Sequence, residues 1–321
     1  MEQARQPLTD LQQSIVSTIA YFDLFEYPLT LVEVQRFLYR TNASLSAVYH
    51  ELSREPLTGI ISSDAGFYFL AGRQQLIATR LERYRYAEKK YQRALRAASV
   101  LCGVGFVDLI AVCNNVGISN GTKRSDIDFF IVVRHGHLWW TRLVVTGLVT
   151  LIGLRRHGRM IENRICLSFY ITDQHFDLHD IALRPQDPYL LYWLASLAPI
   201  FDRDFIYQQF LAANQGTLEQ LPNFYPTVLS ARRRSTLSRF SRVFRRLEET
   251  VLATPVGRGI ELVAKKIQLA KMSHNTTSAA KKIDTTEVVI SDTMLKFHET
   301  DRRVLYRDTW QRSCSALIDT V

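Results

Sequence analysis

Asp126 and Asp128 stand two residues apart at the head of an apolar run, Ile127 with Phe129-Phe130-Ile131-Val132-Val133. In a strand, positions i and i+2 project to the same face. The two carboxylates therefore sit side by side while Ile127 turns into the core. Neighbouring carboxylates repel, and one is driven protonated unless a cation lies between them. A Mg²⁺ ion with octahedral oxygen coordination, shared with phosphates, resolves the conflict. The pair is preceded by a loop of small and polar residues, Asn114-Asn115-Val116-Gly117-Ile118-Ser119-Asn120-Gly121-Thr122, then Lys123-Arg124-Ser125. Such a loop brings backbone N–H groups towards phosphates. Lys123 and Arg124 add positive charge beside them.

Strand-like and helix-like runs alternate around this constellation, over residues 104–225. Phe106 to Cys113 is a β-rich run that enters the loop, and Ile127 to Val133 leaves it. Leu138 to Leu154 is an apolar stretch of 17 residues, interrupted by Arg142 and followed by Arg155-Arg156-His157-Gly158-Arg159. It is at the lower limit for a membrane span, so a buried core helix is expected, with an interfacial or membrane-inserted helix as the alternative. Ile165 to Thr172 is a third strand, and Pro188 to Phe201 is a Leu- and Trp-rich helix. The order predicts a small mixed sheet with helices.

The run from Val112 to Val133 resembles the nucleotidyltransferase superfamily related to DNA polymerase beta. That signature is Gly-Ser or Gly-Gly, a spacer, then Asp-x-Asp/Glu at the start of a strand. Here Ser125-Asp126-Ile127-Asp128 matches the second part. Asn114-Asn115 stands where Gly-Ser is expected. Either Asn115 takes the serine position or, in another register, Ser119 supplies the hydroxyl. The resemblance implies Mg²⁺-dependent transfer of a nucleotidyl group from a nucleoside triphosphate to a hydroxyl acceptor. Asp126 and Asp128 hold the metal and act as the catalytic residues. Asn115, Gly117, Ser119, Lys123, Arg124 and Ser125 hold the nucleotide. It also implies a third carboxylate on a later central strand. The run Arg164 to Thr172 holds no acid; Ser168 falls roughly at that position, and Asp173 and Asp177 lie at or beyond its end. Without a third acid, the sequence supports one metal rather than a two-metal mechanism. The alternative is a catalytically degenerate core in a regulatory module that binds nucleic acid or a membrane.

Three other stretches complete the chain. Residues 1–72 offer a helix from Leu11 to Phe25 with Asp10 as N-cap, a second from Thr30 with Glu33 in a capping box, and a third over Ser44 to Leu52. A hairpin follows, from Gly59-Ile60-Ile61 to Phe67-Tyr68-Phe69-Leu70. Helices then a hairpin predict a winged helix, which uncharacterised bacterial proteins of the same superfamily also carry. Its third helix has His50 as its one potentially basic residue. Phosphate contacts need cations, so a packing module is favoured over a DNA reader. Residues 73–103 are a polar connecting helix. The whole is an α+β protein.

Residues 226–321 form a basic, mainly helical region. The chain has 321 residues and a net charge of +9, which favours anionic partners. Between Ala231 and Lys271 there are 11 Lys/Arg against 3 Asp/Glu, so this segment carries most of that excess. Arg232, Arg233, Arg234, Arg239, Arg242, Arg245 and Arg246 are the candidate contacts to nucleic acid or acidic lipid, unless they form a solvated helix face. Phe240 and Phe244 are expected in the core. A polar stretch from His274 to Thr286 reads as a linker, Glu287 to Ser291 as a short strand, and Leu295 to Leu317 as a final helix. Asp177 with His175, His179 and Asp180 reads as a surface turn rather than a metal site. Cys102, Cys113, Cys166 and Cys314 lack metal-type spacing, and Met1 to Arg5 lacks a signal-peptide pattern. Reduced thiols in the cytoplasm are the expectation.

Overall fold

A computed structural model describes residues 7–275, 286–298 and 301–319. The chain is an α+β protein. Helix α1 (Asp10–Asp23) is capped by Thr9, not Asp10: Thr9 and Gln12 form a reciprocal capping box. Asp10 falls inside the first turn, where its charge suits the helix dipole. Strand β1 (Leu29–Thr30) runs into α2 (Leu31–Arg36), whose Thr30–Glu33 box is present. Helices α3 (Leu45–Leu52) and α4 (Leu57–Ile60) precede the hairpin of β2 (Ile61–Asp64) and β3 (Phe67–Leu70). These strands order as β1-β3-β2. Helix α5 (Leu76–Leu101) leads to the larger sheet.

That sheet begins with β4 (Val107–Cys113), the short helix α6 (Asn114–Gly117) and β5 (Ile127–Val133). Helix α7 (Leu138–Leu151) crosses over to β6 (Ile165–Thr172), which pairs parallel with β5. A parallel neighbour needs such a crossover. Helix α8 (Pro188–Ser196), capped by Asp187, is followed by β7 (Ala198–Asp202), α9 (Ile206–Ala213) and α10 (Gln215–Leu218). The expected single helix over Pro188 to Phe201 is thus corrected: it stops at Ser196. Pro199 cannot continue a helix. It is accommodated in β7, which lies at the sheet edge where proline is tolerated. The described strands order as β7-β4-β5-β6-β9-β8, with β8 (Val288–Ile290) and β9 (Met294–Phe297) closing the far edge.

Helices α11 (Arg239–Leu252), α12 (Pro255–Asn275) and α13 (Arg303–Asp319) complete the chain. The expected final helix from Leu295 is corrected, since Leu295 lies in β9 and pairs with Tyr170. The linker expected over His274 to Thr286 falls almost wholly outside the described residues.

Alternation along the strands splits the core in two. Leu109, Ala111, Phe130 and Val132 face α1 and α8, whose Tyr21 and Tyr192 rings stack at 4.1 Å. Ile110, Val112, Phe129 and Ile131 face α5 and α7, with Ala264 of α12 beyond. Helix α7 buries Leu138, Trp139, Val145 and Val149. No helix among the described residues is long and apolar enough to cross a membrane.

Gly117 ends α6 against two backbone carbonyls. A Cβ there would lie 3.0 Å from Val112 O and 3.2 Å from Ser196 O. Neither backbone atom yields cheaply. Gly117→Ala is expected to destabilise the protein by about 1–3 kcal/mol, measured by urea unfolding. A loss within error would show that α6 is free to shift.

Candidate metal and nucleotide site

The acidic pair sits where β5 leaves the loop. Asp128 shares its sheet face with Phe130 and Val132, as alternation requires. The Asp126 and Asp128 carboxylates and the Cys166 thiol each offer a ligand atom within 4.8 Å of the others. Cys166 arrives there through an irregularity. The β5–β6 register runs Asp128↔Cys166 and then Phe130↔Phe169, so β6 carries one extra residue in between. This bulge keeps Cys166 beside Asp128 while Phe169 stays in the core.

Cys166 is thus the side chain that meets the acidic pair, and Ser168, the residue the resemblance puts roughly at the third position, lines the same hollow. Asp173 and Asp177 do not approach either. Asp173 lies just past the C-terminal end of β6, where its Oδ1 accepts from the His135 backbone N–H at 2.7 Å. Asp177 accepts from His179 N–H at 2.9 Å. His175 pairs instead with Asp180, at 3.1 Å. Among the described residues, Asp126, Asp128 and Cys166 are the cluster of three that could hold a metal.

Three hollows meet at Asn114. The largest, about 620 Å³, is lined by Asp128, Arg142, Arg155, Arg156, Cys166 and His298. A second, about 190 Å³, lies between Asp128, Asn115, Phe25, Tyr189 and Tyr192. The third, about 160 Å³, is walled by Phe169, Tyr189, Trp193 and Tyr306, with Lys296 and Arg303. Asn114 has φ +54° at the turn from β4 into α6. Asparagine tolerates this left-handed region better than most residues. Its amide accepts from Tyr189 Oη at 3.1 Å and stands by the Asp128 carboxylate, whose ionised form it favours.

Charge and burial work against Asp128. Its carboxyl is pushed up to about 6, first by burial and then by the charge of Asp126. Hydrogen bonds from Asn114 and Cys166, and the charge of Arg156, oppose the rise. Arg156 Nη1 donates to Asp126 Oδ2 at 2.5 Å. Burial and the charge of Asp128 push the Cys166 thiol up to about 12, so it stays protonated. Burial brings Lys296 down to about 8 and His298 down to about 4, the latter aided by the neighbouring cations.

The donor set fits a hard divalent cation. Two carboxylates at one point supply charge and oxygen, which Mg²⁺ requires, while phosphates and water complete its shell. A neutral thiol is a poor ligand for it.

The loop residues divide. Asn115 is exposed and lines the hollow beside Tyr189. Ser119 has φ +60° and follows Ile118, whose carbonyl accepts from Tyr27 Oη at 2.9 Å. Lys123 and Arg124 are exposed. The Ser125 hydroxyl donates to Thr122 O at 3.0 Å. The loop is tied to α5 by Lys90, which donates to Lys123 O, Ser125 O and Asn163 Oδ1 at 3.1, 2.9 and 2.8 Å.

Sequence reasoning missed Arg156, Cys166, Tyr189 and His298 as parts of the site. For Arg156 a signal existed: a parallel β6 starts beside the start of β5, so the loop before it must pass the acidic pair.

The basic patch is corrected at one member. Arg245 is buried, with Nη2 on Asp108 Oδ1 at 2.9 Å and Nε on Glu249 Oε1 at 2.9 Å. It is not available to an outside anion. Arg233 pairs with Glu88 and lies over the Tyr91 ring. Arg232, Arg234, Arg239, Arg242 and Arg246 are exposed. Phe240 and Phe244, expected in the core, are exposed too.

No family model, curated protein or solved structure matches the chain.

Proposed function

We propose that the protein is a Mg²⁺-dependent nucleotidyltransferase with a polymerase-beta-like core, moving a nucleotidyl group from a nucleoside triphosphate to a hydroxyl acceptor. The observation that carries this is the meeting of Asp126 with Asp128, which lines a hollow together with Arg155 and Arg156. The two carboxylates would hold one divalent cation, and the arginines would face the anionic tail. Mg²⁺, when bound, neutralises charge on the transferring phosphoryl group. Asn114 would steady the Asp128 carboxylate, Arg156 would pass from Asp126 to phosphate oxygens, and Lys123, Arg124 and the backbone amides of residues 115–117 would serve at the loop side, those of Ile118 and Ser119 being bonded to Asn114 O and Val116 O. Cys166, a neutral thiol, stands in the third position, so a single cation is expected.

The N-terminal helices and hairpin support a winged-helix reading. Its α1 ring cluster packs on α8, which favours a packing role. The four free thiols favour a reducing compartment, the cytoplasm.

One observation favours a second reading. Arg156 already occupies Asp126 as a cation would, as expected of a degenerate core that binds nucleotide without turnover.

Incubation with labelled nucleoside triphosphates and Mg²⁺ tests both. Pyrophosphate release and a labelled product are expected, with Asp126→Ala/Asp128→Ala lowering the rate at least about a thousandfold. Nucleotide binding without product favours the degenerate core. Product formation that survives the double change sinks both readings.

A further inference from the structure

Helix α11 is built inside out. A surface helix normally turns its apolar stripe to the core and its charges to water. Here the inward side is mostly charged. Arg245, 3% exposed, donates to Val107 O at 2.6 Å and Cys102 O at 3.1 Å besides its ion pairs. Glu248 accepts from Gly105 N at 2.7 Å and the Trp140 indole N–H at 2.8 Å. Glu249 accepts from Arg203 at 2.9 Å. Leu252 is the buried apolar residue of the helix.

The outward side is apolar. Phe240 is 81% exposed, Val243 59%, Phe244 55% and Leu247 61%, and Val251 is exposed as well. At 3.6 residues per turn these five fall within an arc of about 100°. Arg239, Arg242 and Arg246, all exposed, lie along one edge of that arc. Helix α12 packs Ala264 and Ile260 inward but also exposes Val256, Leu262, Val263 and Ile267, with Lys266 between them.

The acids decide what covers this face. Glu248, Glu249 and Glu261 are the three between Ala231 and Lys271. All point into the protein, Glu261 accepting from the Trp139 and Trp140 backbone N–H groups at 2.7 and 2.8 Å. The outer surface therefore joins an apolar stripe to a cationic rim with no carboxylate from this segment.

We infer that α11, with α12 beside it, docks on an anionic membrane surface, the stripe entering the headgroup–acyl boundary and the arginines meeting lipid phosphates. An interfacial helix has this composition. A second copy meeting the same face would set cationic rim against cationic rim. Nucleic acid would satisfy the arginines and leave Val243, Leu247 and Val251 in water. The docking does not depend on nucleotidyl transfer.

Full-length protein is sedimented with vesicles of phosphatidylcholine alone, or of phosphatidylcholine mixed with phosphatidylglycerol. Binding is expected to the mixed vesicles, weakening as salt rises. Phe240→Ser/Phe244→Ser should abolish it, and Arg239→Gln/Arg242→Gln/Arg246→Gln should lower partitioning about a hundredfold. All five side chains are exposed, and circular dichroism checks that the variants fold. No vesicle binding, or binding that ignores both sets of changes, overturns the inference. So does a solution dimer that Phe240→Ser/Phe244→Ser dissolves while vesicles are ignored, or duplex RNA bound in place of vesicles.

Discussion

Asp128→Asn is expected to raise the stability of the metal-free protein while removing its response to Mg²⁺. Both effects come from the same crowding. Asp128 is desolvated and lies beside Asp126, so its ionised form is disfavoured and its carboxyl stands at about 6. In the unfolded chain that carboxyl titrates near 4. A carboxyl with a raised folded-state value binds its proton more tightly when folded. Its contribution to stability is complete below about pH 4 and is lost as pH rises through about 6. At pH 7.5 the ionised side chain therefore opposes folding, by about 1–3 kcal/mol. An amide of the same shape removes that charge.

The unfolding midpoint of Asp128→Asn in chelator should exceed that of the wild type by a few degrees at pH 7.5. The gap should close as pH falls from 7 to 4, because the wild-type carboxyl then protonates. Adding Mg²⁺ reverses the order: a cation that binds only the folded state raises the wild-type midpoint and leaves the variant unmoved. Calorimetry across pH, with and without Mg²⁺, checks all three. A variant less stable than wild type in chelator, or one that still gains from Mg²⁺, would refute the shared-cation geometry.

The acidic pair was legible because it depends on one local rule, the two-residue repeat of a strand. Strands β4, β5 and β6 were legible for the same reason, being runs of branched and aromatic residues. Thr30 and Glu33 announced their helix through a contact three residues long. What the sequence hid was pairwise. The β6 bulge exists only relative to β5, so the resemblance could point to the neighbourhood of Ser168 but not to Cys166 as the side chain opposite Asp128. Strand β7 lay behind an apolar run that fits a helix until Pro199 interrupts it, and only its pairing with β4 makes it a strand. Helix α11 misled in the opposite way. Its apolar stripe is visible in the sequence, and such stripes ordinarily face inward. Asp108 overrides that rule, since a buried carboxylate needs a cation more than α11 needs to hide its apolar side chains.

That carboxylate makes Arg245 the substitution with the largest expected stability effect. Asp108 lies on β4, buried, with Arg245 at 2.9 Å, Arg134 at 3.3 Å and Arg203 at 3.5 Å. Even with three guanidiniums near, burial holds its carboxyl above the ordinary range. Arg134 and Arg203 are partly solvated, and Arg245 is the partner that shares its burial. Arg245→Met takes from Asp108 its one fully buried partner, leaving only the half-solvated Arg134 and Arg203, and leaves Val107 O and Cys102 O without this donor. Breaking a buried pair from one side costs about 3–5 kcal/mol. Arg242→Met, three residues earlier and exposed, should change stability by at most about 0.5 kcal/mol. Adding Asp108→Asn to Arg245→Met should recover part of the loss, because the stranded charge goes with it. Urea unfolding of the four proteins measures this. Equal stability of the Arg245 and Arg242 variants would mean that Asp108 is solvated and that α11 is held by something else. The expected result instead ties the two sides of α11 together: one buried ion pair fixes its charged edge to the sheet, and the apolar edge is left facing outward.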